Sequence, residues 1–415
     1  MTAVVERHPT DQTRAGWLAA GGAILRRGGP VFLTVPLLLI LICGFFVPIL
    51  LMLSNSVEDR DFRSAFPETS GYLDRWDGSG LPGEETATVF LTELRAVAGT
   101  PEVAKVASRL NYDIGGFRSL LIKTAGRVTG PDVDMKLNTL ASIDVRWTSH
   151  DYWAAMKRAT GPLTTFHLLA AVDLKKNSQG GISWSSPQGP VFLTTATRTF
   201  VVSVFVSLFC LIMGYPVAYL LAISSKRMTS ILIWLVLLPC WTSLLVRTAA
   251  WVVLLQREGI INSMFLKLGI ITAPLELIYN RTGVYIVLTY TLLPYMILPL
   301  YSCMKSIKAV QLRAAISLGA HPFRAFLKVY FPLSLPGVFT GVLFVFVAAV
   351  GYYITPALVG GPADQMLSYF IAHYSMETTN WGLAAALGVL LLVGVVSAVA
   401  LFKAVLPAQD VQWGR

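Results

Sequence analysis

Charged side chains are scarce in this sequence. Asp, Glu, Lys and Arg make up only 13% of its 415 residues, whereas soluble globular domains carry about a quarter. Together with a mean hydropathy of +0.62, this deficit excludes an ordinary soluble domain and indicates an integral membrane protein. Cysteine is also rare. Its four copies fall in or beside apolar runs, so neither a disulfide framework nor a zinc site is expected.

The motifs of common enzymes are missing too. The sequence contains no G-x-x-x-x-G-K-[ST] phosphate loop, no H-E-x-x-H and no G-x-S-x-G. We therefore expect no catalytic residue, no bound metal and no ATP hydrolysis in this chain. The five histidines are scattered. His150, beside Asp151, and His167, within an apolar stretch, are more simply structural than catalytic.

Long apolar runs are present instead, and six of them are long enough to cross a hydrocarbon core about 30 Å thick. They predict an all-α integral membrane fold with six transmembrane helices. None contains Asp or Glu, which disfavours proton-coupled transport and, less strongly, sodium coupling. Energy for uphill transport must then come from another polypeptide. The runs cover residues 30–53, 199–223, 229–256, 283–304, 331–356 and 382–402.

The distribution of Lys and Arg predicts the orientation of these spans. With the N-terminus inside, the inner segments carry 13 basic and three acidic residues, a difference equal to the net charge of +10. Residues 54–190 carry 15 basic and 16 acidic residues. The positive charge is thus a topology signal, and no nucleic-acid partner is needed to explain it. Both termini are expected inside, and 54–190 outside.

The outer segment is long enough for a small domain, and its pattern is mainly helical. We predict helices over 86–98, 101–110, 117–126 and 151–174, with Pro101 and Pro131 at element starts or turns. A Gly/Ser/Pro-rich stretch then leads back to the membrane.

A short basic segment, RAAISLGAHPFRAFLKVYFPLSLPG (313–337), lies between two spans on the predicted inner side. Gly319 permits a chain reversal, and Pro322 suits the first turn of a second helix over 322–330. The apolar residues of that helix, Phe323, Phe326, Leu327 and the following Phe331, are expected on one face. Such an elbow fits a groove on a partner or the headgroup layer of the membrane, and its composition favours neither.

The order R-A-A-I-S-L-G, nine residues, V-Y-F-P resembles the cytoplasmic E-A-A-x-x-x-G-x9-I-x-L-P signature of binding-protein-dependent ABC importer permeases. Further segments resemble the spermidine/putrescine-type branch of that superfamily, in order and at matching spacing. The resemblance covers about residues 190–404. These segments are LPCWTSLLVRTAAWVVLL (238–255), GIINSMFLKLGI (259–270), LLPYMILPLY (292–301) and PALVGGP (356–362).

Two positions depart from the pattern. Arg313 stands where the signature has Glu, so the charge offered to a partner is reversed. Tyr352 stands where many relatives have an acidic residue, which weakens the assignment to a polycationic solute.

The resemblance implies a heteromeric importer in a bacterial inner membrane. This chain would pair with a second permease subunit and with two ATPase subunits, which hold the ATP and Mg; the chain itself has no cofactor. A periplasmic substrate-binding protein would deliver the solute, and membrane lipid would surround the spans. The ATPase-coupling residues implied are Arg313, Ala314, Ala315, Leu318, Gly319, Ala320, Phe323 and Arg324.

The same resemblance divides the chain into five parts. They are a cytoplasmic N-terminal segment (1–29), transmembrane helix 1 (30–53), an extracytoplasmic insertion (54–190), a five-helix permease core (191–406) with a coupling helix near 308–330, and a cytoplasmic tail (407–415).

The solute is the least determined property. Aromatic residues in or near the spans could hold an amine by cation–π attraction, or could simply pack or anchor the helices. Arg247 could instead bind a carboxylate or phosphonate, or snorkel to the surface as an anchor. Family context makes a polyamine the leading solute; an amino-acid-like, opine-like or phosphonate anion competes. The candidate pathway residues are Trp241, Arg247, Trp251, Tyr290, Tyr295, Tyr352 and Tyr353.

One alternative belongs to another class. A span, an outer domain and a further span also describe a membrane receptor or sensor. The inner segments are, however, too short for a folded signalling domain, which disfavours that hypothesis.

Overall fold

The computed structural model describes residues 34–130, 135–176, 181–185, 189–378 and 380–405. Its contacts divide the chain into two units, Met1–Asn55 and Ser56–Arg415. The predicted segments 1–29 and 407–415, the first residues of the first span, and Pro131 lie outside the described residues.

The first unit contains one apolar helix, α1 (Thr34–Ser54). Its 21 residues extend about 31 Å at 1.5 Å per residue, the thickness of a hydrocarbon core. A π-helical stretch, Ile42–Phe46, lies inside it. The side chains of α1 are exposed almost throughout, as expected for a helix whose neighbours are lipid or another chain.

The second unit begins with short amphipathic helices. The predicted helices over 86–98, 101–110 and 117–126 are present with small shifts at their ends. The expected helix over 151–174 is wrong as one element, because Gly161 and Pro162 interrupt it. The helices are α2 (Asp61–Ala65), α3 (Pro67–Arg75), α4 (Glu84–Val97), α5 (Pro101–Asp113), α6 (Phe117–Val128), α7 (Leu137–Ile143), α8 (His150–Arg158) and α9 (Phe166–Ala171).

These helices enclose an aromatic core. Trp147 and Trp153 are fully buried with their ring centroids 5.4 Å apart, and Phe90 contacts both. Each indole N–H has an acceptor within the core, Thr124 Oγ1 at 2.9 Å and the Trp147 carbonyl at 3.0 Å. Large aromatic surfaces with satisfied polar atoms can stabilise a domain without disulfides.

A two-stranded antiparallel hairpin follows α9. It consists of β1 (Leu174–Lys176) and β2 (Ile182–Trp184), with Leu174 opposite Trp184. Just before it, the carboxylate of Asp173 accepts hydrogen bonds from the backbone N–H groups of Phe192 (3.1 Å) and Leu193 (2.8 Å). Asp173 therefore satisfies the free N–H groups at the start of the next long helix and complements its dipole.

Long apolar helices make up the rest of the unit, joined by short ones. The helices are α10 (Val191–Ile223), α11 (Lys226–Leu237), α12 (Leu244–Leu255), α13 (Ile260–Lys267), α14 (Arg281–Ser306), α15 (Ala309–Ser317), α16 (Pro322–Ala325), α17 (Phe331–Gly351), α18 (Ile354–Val359), α19 (Leu367–Met376) and α20 (Trp381–Val405).

The predicted third span, 229–256, is not a single straight helix. α11 continues through a 3-10 turn (Leu238–Trp241), and α12 then leaves at a bend of 96°. Pro239 and the extended backbone at Thr242 mark the break. Apart from this pair, five helices in the described part of the chain are long and apolar enough to cross a membrane.

The predicted span 331–356 also differs at both ends. Its helix ends at Gly351, and Tyr352 is extended. At the other end, α16, a π-helical segment (Phe326–Tyr330) and α17 form one continuous helix from Pro322. Pro336 lies inside α17.

The short helices α2–α9 and the membrane helices of the second unit meet at a tight contact between α9 and α20. We call it the outer joint, after the outside location expected for residues 54–190. Ala171 packs with Leu383, Ala386 and Leu387 in one buried cluster. Beside them His167 is buried against Gly382, where a Cβ atom would lie 2.3 Å from the imidazole Nε2. A Cβ at 382 would overlap the imidazole, so a larger residue there would force the His167 side chain to shift.

Candidate coupling and translocation sites

The elbow, here defined as residues 309–330, forms a helix, a reversal and a second helix. α15 ends at Ser317, and Gly319 follows with φ +90°, a left-handed conformation that side chains with a Cβ rarely adopt. His321 then caps the second helix, its Nδ1 accepting from the Phe323 N–H at 3.3 Å, with Pro322 at the first helical position. The predicted turn at Gly319 and start at Pro322 are confirmed.

One face of the elbow points away from the rest of the chain, and we call it the outer face of the elbow. This face is apolar and exposed. Leu318 is 89% exposed and Phe323 64% exposed. Val310, Ile316 and Leu327 are exposed as well. An uncovered apolar patch of this kind is typical of an interaction surface.

Four small or basic residues predicted for coupling accompany this surface. Arg313, Ala314 and Arg324 are exposed, while Ala315 is half-buried. Neither arginine forms an ion pair with any acidic side chain that the structure describes. The elbow therefore presents small residues, free apolar side chains and positive charge together, with Ala320 half-buried next to Gly319.

The inner face of the elbow is held by aromatic packing. Phe326 lies 5.6 Å from Tyr219 and stacks on Tyr330 at 5.6 Å between ring centroids, and Tyr219 and Tyr330 are 5.2 Å apart. The Tyr215 hydroxyl lies 2.9 Å from Ser334 Oγ. This cluster packs the elbow against α10.

The expected single apolar face over 323–331 is wrong. Phe323 and Leu327 point outward, whereas Phe326 and Tyr330 point into the aromatic cluster. Positions four apart share a face, and this segment has two such pairs on different faces. The sequence reasoning missed Tyr215 and Tyr219, although their i,i+4 spacing on α10 would have indicated one face of that helix.

The break in the third span organises one group of candidate pathway residues. Arg247 Nη2 donates to the Thr242 carbonyl at 2.8 Å and Nε donates to the Thr242 hydroxyl at 3.2 Å. The guanidinium thus satisfies backbone freed by the bend. This role was not among the two expected for Arg247. Non-helical backbone at membrane depth occurs where it is buried in protein or lines an aqueous cavity.

The other pathway residues fall into small groups. Tyr352 is within electrostatic range of Tyr295 and Arg247. Trp251 contacts Tyr290 with ring centroids 5.1 Å apart and packs against the buried Leu255 cluster.

The two remaining pathway residues lie apart from these groups. Trp241 is exposed and pairs with Trp234 at 5.6 Å, a residue that sequence reasoning did not select. Tyr353 is half-buried at the start of α18. The structure therefore does not place all seven residues in one site.

Comparison with known protein families identifies the family of this chain. The family described as "Binding-protein-dependent transport system inner membrane component" matches residues 190–411, more than half of the chain. The chain belongs to this family. It is the permease subunit of an ABC importer, a multi-pass protein of the inner membrane and not an enzyme.

Characterised relatives agree with the family. The chain is 33% identical over 200 residues to the spermidine/putrescine transport system permease protein PotB of Haemophilus influenzae, covering 48% of this chain and 70% of that protein. It is 30% identical over 202 residues to PotB of Escherichia coli, covering 49% and 74%. A bacterial ABC transporter that imports alginate is similar at 18% identity with a TM-score of 0.42, covering 54% of this chain and 81% of that one. The family match and the two PotB relatives confirm the resemblance inferred from the motifs.

Proposed function

We propose that this permease forms half of the translocation pathway of a polyamine importer. It pairs with a second permease subunit and with two ATPase subunits that hold ATP and Mg, receives solute from a periplasmic binding protein, and is surrounded by lipid. The chain itself carries no cofactor. The names of the relatives at 30–33% identity support the solute class.

In this proposal both termini are cytoplasmic. The external part, 54–190, faces the periplasm, 191–406 forms the permease core, and the elbow faces the cytoplasm. The basic excess in the inner segments supports this orientation. The elbow then lies on the side where an ATPase is available.

The observation that carries the mechanism is the two-faced elbow. Its outer face, with Leu318 and Phe323, docks into the ATPase, and its inner face, with Phe326 and Tyr330, grips Tyr219 on α10. Closure of the ATPases on ATP moves the docked elbow as a rigid body. The aromatic grip passes this movement to the membrane helices, and so biases a two-state change in access.

Arg313 makes the docking differ from that of relatives with Glu at this position. A Glu on the permease suits a basic ATPase groove, whereas Arg313 requires a neutral or acidic one. We therefore expect the partner ATPase of this chain to carry a carboxylate opposite Arg313.

An anionic solute is the second candidate, and Arg247 favours it. Its Nη1 atom makes no hydrogen bond within the described part of the chain, while Tyr295 and Tyr352 lie within range. An amino-acid-like, opine-like or phosphonate anion would find a positive group with two phenols there. The receptor hypothesis is set aside by the family match.

Uptake by the reconstituted complex of the two permeases, the two ATPase subunits and the binding protein tests both proposals. Spermidine and putrescine should be taken up, and amino acids and phosphonates should not. If amino acids or phosphonates are taken up and the polyamines are not, the solute is an anion.

Gly319→Val should uncouple ATP hydrolysis from uptake, because a β-branched residue is strained at φ +90°. Gly269→Val is the control, since Gly269 has φ +67° and open space but lies outside the elbow. Equal uptake by the two variants would refute coupling through the elbow.

A further inference from the structure

The outer helical part of the second unit contains a cavity with a cationic lining that the importer proposal does not use. Its volume is about 310 Å³, within the range of small-molecule sites. Four basic side chains and one acidic side chain line it: Arg109, Arg158, Lys175, Lys176 and Asp113. We call it the cationic pocket.

Two of the four cations are already paired. Arg109 binds Asp59 through Nε and Nη2, both 2.7 Å from Oδ2, and Arg158 binds Asp113 with Nη2 3.1 Å from Oδ2. Lys175 and Lys176, on β1, form no ion pair with any side chain that the structure describes. The pocket therefore carries an excess of two positive charges.

Arg109 is an unusual residue to find in such a wall. It is 6% exposed, Phe166 covers its guanidinium at 4.0 Å, and Asp59 is 4% exposed. A guanidinium has five N–H donors, and Nη1 is buried without an acceptor among the described atoms. An unpaired buried donor is unfavourable unless an acceptor is supplied. An oxyanion in the pocket would supply one.

The walls are fixed by the fold. The Thr164 N–H donates to the Val57 carbonyl at 2.7 Å, and the Asp59 N–H donates to the Pro162 carbonyl at 3.2 Å. These bonds hold the loop before α9 against the segment that carries Asp59. The positive groups are therefore preorganised rather than scattered over a flexible surface.

The position of the pocket is also informative. α9, whose residues Phe166 and Leu169 line it, packs on α20 at the outer joint, and Asp173 caps α10 beside it. The pocket thus lies next to the ends of two membrane helices. Both dissolved anions and lipid phosphates reach such a place.

We propose that the cationic pocket binds an oxyanion of the phosphate type, supplied either by a lipid headgroup or by a free anion. Arg109 and Arg158 orient the oxygens, as guanidinium groups do with phosphate, and the two lysines neutralise the charge. Because α9 joins the pocket to α20, an occupied pocket stabilises the outer joint.

The test uses the full chain in nanodiscs of neutral phosphatidylcholine and in nanodiscs containing phosphatidylglycerol, at low salt. Binding of inorganic phosphate is measured by calorimetry in the neutral discs. Retention of phosphatidylglycerol is counted by native mass spectrometry in the others. The variant is Lys175→Gln with Lys176→Gln. Its control is Lys105→Gln with Arg127→Gln, which removes the same charge from exposed positions of the same part of the chain.

The lysine variant should bind its ligand about tenfold more weakly, because loss of two positive charges weakens the attraction for an anion. The control should match the native chain. Loss of phosphate binding in neutral discs identifies a free anion, whereas loss of lipid retention alone identifies a headgroup. Thermal unfolding checks that both variants fold. Equal behaviour of variant, control and native chain in both discs overturns the proposal.

Discussion

The outer joint and the elbow lie at opposite ends of α10. Apolar side chains are buried at the joint and exposed at the elbow. At the outer joint, small residues on α20 allow α9 to bury Ala171 and His167 completely, and the contact is closed within the chain. At the elbow, Leu318 and Phe323 remain in the open. The first contact is therefore closed within the described part of the chain, whereas in the proposed importer an ATPase subunit would complete the second. Changes at the joint should alter stability, whereas changes on the outer elbow should alter assembly.

The largest effect on stability is expected at the buried ion pair near the joint. Asp59→Asn leaves the Arg109 charge uncompensated in the interior and should destabilise the fold by about 3 kcal/mol. Chemical denaturation followed by tryptophan fluorescence measures this change. Glu58→Gln is the control, because the half-buried Glu58 pairs with the exposed Arg60, and the loss should be below about 1 kcal/mol. Equal losses of unfolding free energy in the two variants would mean that burial of the Asp59–Arg109 pair does not increase the cost of breaking it.

Gly382→Ala should come next, with a loss of about 2 kcal/mol, because the new methyl group overlaps the His167 ring. His167→Ala in the same chain should recover part of that loss, as expected for two residues in contact. Gly388→Ala on the same helix is the matched control, since a Cβ there meets no atom within 4 Å. A loss at 388 as large as at 382 would contradict close packing at the joint.

The joint should also weaken in acid. Burial, together with the nearby Arg109 charge, lowers the pKa of His167 to about 3. The unfolded chain, with a histidine pKa of about 6.5, then binds more protons than the folded chain below that pH. Stability should therefore fall as the pH decreases from about 6.5 towards 3, by about 2 kcal/mol at pH 5.

Denaturation at pH 7 and pH 5 measures this acid sensitivity, and His167→Leu should remove most of the difference. If the native chain and this variant respond to acid equally, His167 is not the group responsible.

The smallest effect on stability is expected on the outer elbow. Leu318→Ser with Phe323→Ser should change the unfolding free energy by less than about 0.5 kcal/mol, since both side chains are exposed. Co-purification of the ATPase should nevertheless fall at least tenfold, because exposed anchors of this kind dominate binding.

Val145→Ser with Ile182→Ser, both exposed in the outer part, is the control for the elbow variant and should leave ATPase binding intact. If the elbow variant still bound the ATPase, Leu318 and Phe323 would not form the ATPase-binding surface, and the contrast between the joint and the elbow would be wrong.

Local patterns predicted the local features of this chain. Pro101 begins a helix, Gly319 reverses the chain and Pro322 begins the next helix, because each of these residues restricts or frees its own backbone. The apolar runs likewise located the long helices, since length and composition suffice to cross a membrane.

Features that depend on distant residues were not predictable in the same way. Asp59 and Arg109 are 50 positions apart, and no periodicity links them. The bend near Thr242 was not predicted, because the third span was located from its apolar composition, which carries no information on backbone direction. The two faces of the elbow were missed because Tyr219, on another helix, decides which aromatic side chains turn inward.

The exposed side chains of Leu318 and Phe323 also bear on how this subunit survives in the cell. In the proposed importer, an orphan copy would expose to the cytosol the kind of apolar surface that chaperones and proteases recognise in misfolded proteins. Its lifetime should then depend on how soon an ATPase shields that surface, so the supply of one gene product sets the abundance of the other.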